Sequence, residues 1–61
     1  MPMTAEQKKD VKERLARAKK AIKTATVDIA DAKRAGLDVT EEEKELKRMR
    51  DLTRGIERVY G

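Results

Sequence analysis

The sequence KRAGLDVTEEE, residues 33–43, decides the fold, because its first half carries the signals that end a helix. Lys33 and Arg34 are basic side chains that complement the negative end of a helix dipole. Gly36 follows at the position where a left-handed residue closes a helix, and Leu37 comes next, where a Schellman closure places an apolar contact. The pattern therefore predicts that a helix ends immediately before Gly36.

The second half of the same stretch begins another helix. Thr40 and Glu43 have the Thr-x-x-Glu spacing of a capping box. The acidic run 41–43 then lies at the positive end of the helix dipole, which explains these carboxylates better than a metal site does. Thr4 and Gln7 have the same spacing and are predicted to cap the first helix.

Together these signals predict an all-α fold, an antiparallel two-helix hairpin. Helix 1 is expected over about residues 4–35, the turn over 36–39 and helix 2 over about 40–60. A connection of about four residues makes two helices antiparallel neighbours. The chain has 61 residues, too few for a second core, and we find no internal repeat or linker, so residues 1–61 are expected to form one hairpin.

The apolar residues of helix 1 follow an unbroken heptad pattern, with larger side chains at position a and mostly alanine at position d. The members of this seam are Val11, Leu15, Ala18, Ile22, Ala25, Ile29 and Ala32. Folding the chain at the turn places Ala32 opposite Leu46 and Ala18 opposite Tyr60. Such alternation lets two helices approach closely and still fill space, so the pattern predicts a coiled-coil-like, alanine-rich seam.

The same register predicts the pairs that meet beside the seam. On one flank it brings together six polar residues: Lys33 with Glu43, Thr26 with Arg50, and Lys19 with Glu57. On the other flank Ala21 lies near Val59, and Gly55 lies between Leu52 and Val59. A glycine inside a helix costs about 1 kcal/mol relative to alanine. Gly55 therefore indicates either the close approach of another helix or a helix 2 that frays there, with Gly55 as its C-cap.

Three features predict that the hairpin associates with itself. Its small core supplies only about 3–5 kcal/mol, and the absence of cysteine and histidine excludes disulfides and the usual zinc sites. Helix 1 projects past helix 2 by about 20 Å at 1.5 Å per residue, and its apolar residues there lack an intrachain partner. An apolar stripe on the second flank is left uncovered. We expect a homodimer or higher oligomer, most simply a four-helix bundle, with an interface formed by Val11, Leu15, Ala21, Leu52, Gly55 and Val59.

The residues for enzyme chemistry are largely missing. The chain has no histidine, cysteine or serine, so the usual pairs of nucleophile and base cannot form. It has no glycine-rich phosphate loop either. The acidic pairs Asp28 with Asp31 and Glu42 with Glu45 are expected to be solvated helix charge. We therefore expect no enzymatic activity, no cofactor and no metal, and the first predicted function is a structural or protein–protein interaction module.

A basic surface supports an alternative function. Charged residues make up 46% of the chain, its net charge is +4, and no acidic residue occurs from Arg14 to Thr26. One flank of the hairpin is predicted to display six basic side chains: Lys12, Lys19, Lys23, Lys47, Arg50 and Arg54. Such a surface can follow the phosphates of a nucleic acid, RNA more than DNA, although no Phe or Trp is present to stack on bases.

The sequence also favours one cellular location. No apolar run approaches the ~20 residues of a membrane span, no apolar signal region follows the N-terminus, and cysteine is absent. We expect a cytoplasmic protein without a membrane span. Its expected partners are a second copy of itself, another protein or a nucleic acid.

Overall fold

A computed structural model of the chain describes residues 2–60. It contains two α-helices, α1 (Ala5–Arg34) and α2 (Thr40–Tyr60), which pack against each other. The predicted all-helical hairpin is confirmed. Both helices agree with the predicted bounds to within one residue at each end, since Thr4 and Ala35 are the caps of α1. The hairpin was predicted over residues 1–61, and positions 1 and 61 lie outside the described residues.

The first turn of α1 is held by a capping box. The Gln7 N–H donates to the Thr4 hydroxyl oxygen at 3.1 Å, and the Thr4 N–H donates to Gln7 Oε1 at 2.9 Å. These two bonds satisfy backbone donors that have no partner within the helix. The predicted capping box at this end is confirmed.

A Schellman motif ends α1. The Gly36 N–H donates to the Lys33 carbonyl at 3.0 Å, and the Leu37 N–H donates to the Ala32 carbonyl at 3.1 Å. Gly36 has φ +87°, a conformation that residues with a Cβ rarely adopt. The Leu37 side chain lies beside the same depression as Ala32, although it is 64% exposed. The closure predicted from the sequence is therefore present in the backbone.

Asp38, and not Thr40, caps α2. The Thr40 N–H and hydroxyl both donate to Asp38 Oδ1, at 3.0 and 2.7 Å. The Glu43 N–H donates to the Val39 carbonyl at 2.8 Å, so it does not serve a capping box. The predicted Thr40–Glu43 capping box is wrong, because Thr40 already lies in the first turn of α2 and the Glu43 N–H is bonded to the Val39 carbonyl instead of to the Thr40 hydroxyl. These hydrogen bonds from Thr40 lower the pKa of Asp38 below its ordinary value of 3.8.

Polar contacts between the helices fix their register. Arg50 Nη2 donates to the Thr26 hydroxyl at 2.8 Å, and that hydroxyl in turn donates to the Ile22 carbonyl at 2.7 Å. Two ion pairs lie on the same flank: Lys19 Nζ with Glu57 Oε1 at 2.6 Å, and Lys33 Nζ with Glu43 Oε2 at 3.6 Å. All three predicted contacts on this flank are confirmed. The two helices are therefore antiparallel in the predicted register.

The core is thin and lies near the turn. Among residues 2–60 only Val39 and Leu46 are buried, each 7% exposed. The seam residues of α1 are half-buried, because α2 covers them from one side only. The molecule extends over 48 × 15 × 12 Å, and its radius of gyration of 14.6 Å exceeds the ~10.5 Å of a compact chain of this length. The hairpin is thus a rod whose seam is open to a further layer.

Candidate interaction surfaces

An apolar stripe runs along the outward flank of α2. We define the apolar stripe as Leu52, Gly55 and Val59, which line one shallow groove. Leu52 is 63% exposed and Val59 is 70% exposed. Ala21 of α1, predicted to lie on the same flank, is also exposed. Four of the predicted interface residues are therefore accessible to a partner.

Gly55 is an unbroken part of α2. The helix continues through it to Tyr60, so the alternative in which helix 2 frays and Gly55 is its C-cap is wrong. A Cβ built on Gly55 would meet nothing within 4 Å. Packing within the described chain therefore does not require a glycine at this position, even though glycine costs about 1 kcal/mol relative to alanine.

The other two predicted interface residues, Val11 and Leu15, lie where α1 approaches the end of α2. Both are half-buried. They line an open cavity together with Ile56 and Tyr60. α2 therefore reaches the base of the projecting part of α1, so the expectation that its apolar residues have no intrachain neighbour is wrong for Val11 and Leu15.

The residues of the predicted basic flank differ in their contacts. Lys19 is paired with Glu57, and Arg50 is hydrogen-bonded to Thr26. Lys47 lies beside the groove of the apolar stripe, and Arg50, three residues later in α2, lines the depression between the two helices. The remaining three predicted residues, Lys12, Lys23 and Arg54, form no ion pair within residues 2–60. Two of the six residues are therefore engaged by the other helix, and a joint role of the six in binding a polyanion stays a prediction.

A more uniform basic surface lies on α1, and only half of its residues were identified from the sequence. At about 100° per residue, six lysines project within a sector of about 120°, and no acidic residue of α1 projects inside it, although Glu13 lies at its edge. We define this lysine face by Lys8, Lys9, Lys12, Lys19, Lys20 and Lys23. Lys8, Lys9 and Lys12 line one depression with Glu13 and two alanines. The recurrence of lysine three and four positions apart is the signal that identifies this face.

Charged residues of α2 form a rim beside the apolar stripe, and one of them is paired within the same helix. Arg48 Nη2 donates to Glu45 Oε2, one turn earlier. This hydrogen bond, together with the charge of Glu45, raises the pKa of the Arg48 guanidinium. The groove also contains Asp51 and Lys44, so both signs of charge border the stripe.

Neither a metal centre nor a membrane span can be located in the part of the chain that the structure describes. No three carboxylates, histidines or cysteines of residues 2–60 lie together as a possible metal-binding group. Neither described helix has the length and apolar character needed to cross a bilayer. Comparisons with protein-family models, with curated proteins and with solved structures gave no match.

Proposed function

We propose that this chain is a non-enzymatic helical hairpin that self-associates and acts as a structural or protein-interaction module. The observation that carries the proposal is its exposed surface of 5355 Å². A compact folded chain of 7.0 kDa exposes about 4,000 Å². The hairpin therefore leaves about 1,300 Å² more surface in water than a compact domain of its size.

This surplus is of the size that a dimer interface needs. A stable interface buries about 800 Å² on each partner. Of the six large apolar side chains that are exposed among the described residues, four lie on α2: Leu52, Ile56, Val59 and Tyr60. A second hairpin supplies the missing layer of helices, since two helices alone bury only the seam between them.

A second copy is the favoured occupant because the apolar stripe complements itself. Leu52 and Val59 are seven residues apart, which is about two helical turns. A two-fold axis near Gly55 would place Leu52 of each copy against Val59 of the other. Gly55 then lies at the crossing, where the lack of a side chain lets two backbones approach. The mixed charges of the rim, such as Arg48 and Asp51, avoid an excess of one sign across the axis.

Sedimentation equilibrium at micromolar concentration tests the proposal with two variants and a matched control. Leu52→Lys and Val59→Lys each place a charge in the stripe, and we expect at least tenfold weaker self-association, the equivalent of about 1.4 kcal/mol. Val27→Lys is the control, because Val27 is 54% exposed on α1 outside the stripe. A folded wild-type monomer at this concentration would contradict the proposal. Equal weakening by all three substitutions would contradict the assigned interface.

A further inference from the structure

We propose that the lysine face of α1 binds the phosphate backbone of a double-helical nucleic acid. This binding site is separate from the self-association surface, since the apolar stripe lies on the outward flank of α2. The chemical group that this site would recognise is the phosphodiester anion, repeated at regular intervals along the duplex. The inference does not depend on the proposed function, because a monomer and a dimer would both display the face.

The charge of the lysine face is largely uncompensated. Within residues 2–60, five of its six members form no ion pair: Lys8, Lys9, Lys12, Lys20 and Lys23. The acids of α1 that do form ion pairs there bind arginines instead, Asp10 with Arg14 at 3.0 Å and Asp31 with Arg34 at 2.8 Å. Their negative charge is therefore held away from the lysines.

The dimensions of the face suit a nucleic-acid backbone. Lys8 and Lys23 are separated by about 22 Å along the helix axis at 1.5 Å per residue. Duplex DNA presents one phosphate charge for about every 1.7 Å of its axis, so a helix of this length can contact several phosphates at once. The N-terminal part of α1 projects beyond α2, and a single helix of about 10 Å diameter can approach a groove about 12 Å wide.

The residues between the lysines favour a duplex over other polyanions. Ala5 and Ala16 line the depression beside Lys12, and they offer little surface to insert among lipid chains. The chain has one aromatic residue, Tyr60, which lines the apolar cavity with Leu15 and is not a member of the lysine face. Unpaired bases therefore find no ring on which to stack. Phosphate contacts of this kind carry no sequence information.

Fluorescence anisotropy with mixed-sequence duplexes of about 25 base pairs tests the inference. We expect the association constant to fall a few hundredfold between 50 and 200 mM salt, the dependence of about five phosphate contacts. Measuring DNA duplexes and RNA duplexes separately shows which of the two nucleic acids the lysine face binds more tightly. Single-stranded DNA and phosphatidylserine vesicles should bind more weakly than the better duplex.

A pair of charge-matched variants separates the face from net charge. In the triple variant Lys12→Gln, Lys20→Gln and Lys23→Gln, the negative slope of log K against log salt should become less steep by about 2.7. The control, Arg14→Gln, Arg34→Gln and Arg48→Gln, removes the same charge from residues that are already paired, and should change the slope by less than one. Circular dichroism should show the same helix content in both, since glutamine is a good helix former. Equal losses, tighter binding to vesicles or single strands, or no duplex binding at 50 mM salt would each overturn the inference.

Discussion

Lys19 Nζ lies 2.6 Å from Glu57 Oε1, although the two residues are 38 positions apart in the chain. The pair lies near the far end of the hairpin from the turn. The pair therefore shows that the two helices keep the same register along most of α2. The turn alone does not determine this register.

Exchanging the charges of Lys19 and Glu57 tests whether the two helices pack in this register. Lys19→Glu or Glu57→Lys alone places like charges opposite each other, and the double reversal restores the attraction. Because both side chains are about half exposed, we expect a coupling of about 0.5 kcal/mol and no more than about 1 kcal/mol. Thermal unfolding of the four proteins at low salt measures it, with Lys19→Glu combined with Glu43→Lys as the control that should not couple. A zero coupling for Lys19 with Glu57 would contradict the register.

Leu46 should be the residue on which folding most depends. It is 7% exposed, and its truncation to alanine removes buried apolar volume at a cost of about 2–4 kcal/mol. The core supplies only about 3–5 kcal/mol, so Leu46→Ala should lose most of its helical circular dichroism at 25 °C. Val27→Ala is the matched control, because Val27 is 54% exposed and alanine is the better helix former. A Leu46→Ala protein as stable as Val27→Ala would show that the helices do not pack through this residue.

Asp38 should make the hairpin acid-sensitive at the start of α2. Its carboxylate accepts two hydrogen bonds from Thr40, which lower its pKa below 3.8 in the folded state. The stabilisation is therefore fully present above pH 3.8 and is lost as the pH falls through the lower folded value. We expect Asp38→Ala to melt below the wild type at pH 5–7, and the difference to shrink below pH 3.8.

Asp38→Asn provides the control for that titration. An asparagine oxygen can accept the same hydrogen bonds but does not titrate, so its difference from Asp38→Ala should stay constant with pH. Melting temperatures across pH 2.5–7 measure both differences. A gap between wild type and Asp38→Ala that grows on acidification would contradict the capping role of the carboxylate.

The register of the two helices could be predicted because two kinds of sequence signal agree on it. The alternation of alanine with larger residues places Ala18 opposite Tyr60, and the charges of Lys19 and Glu57 agree with that alignment. The cap of α2 was not predictable in the same way. Thr40 and Glu43 fit a capping box by spacing, but α2 already includes Thr40, and the carboxylate that accepts from its N–H and hydroxyl comes from Asp38 in the turn.

The candidate surfaces were predictable only in part. The apolar stripe follows from the heptad positions of Leu52 and Val59, whose exposure the structure gives. The basic flank was drawn from heptad positions, and the register that gives them also predicts the pairing of Lys19 with Glu57 that the structure shows. The same lettering set aside Lys8, Lys9 and Lys20, which project from the helix beside the residues it selected.

Gly36, in the turn after α1, and Gly55, within α2, should respond to substitution in opposite ways. Gly36 has φ +87°, so Gly36→Ala should destabilise the hairpin by about 1 kcal/mol. Gly55 has no heavy atom within 4 Å of a built Cβ, so Gly55→Ala should stabilise the helix by about 0.5–1 kcal/mol. Chemical denaturation monitored by circular dichroism measures both changes. A stabilising Gly36→Ala would contradict the left-handed closure of α1.

A larger residue at Gly55 should separate folding from association. Leucine favours the helix more than glycine does, and the open space around Gly55 accommodates it within one chain. At a close crossing of two copies the same side chain would keep the backbones apart, so we expect Gly55→Leu to retain its helix content and to self-associate at least tenfold more weakly. Arg54→Leu is the control on the opposite flank of α2 and should associate as the wild type does. Unchanged association of Gly55→Leu would place the crossing elsewhere, because a leucine cannot be accommodated where two helix backbones touch.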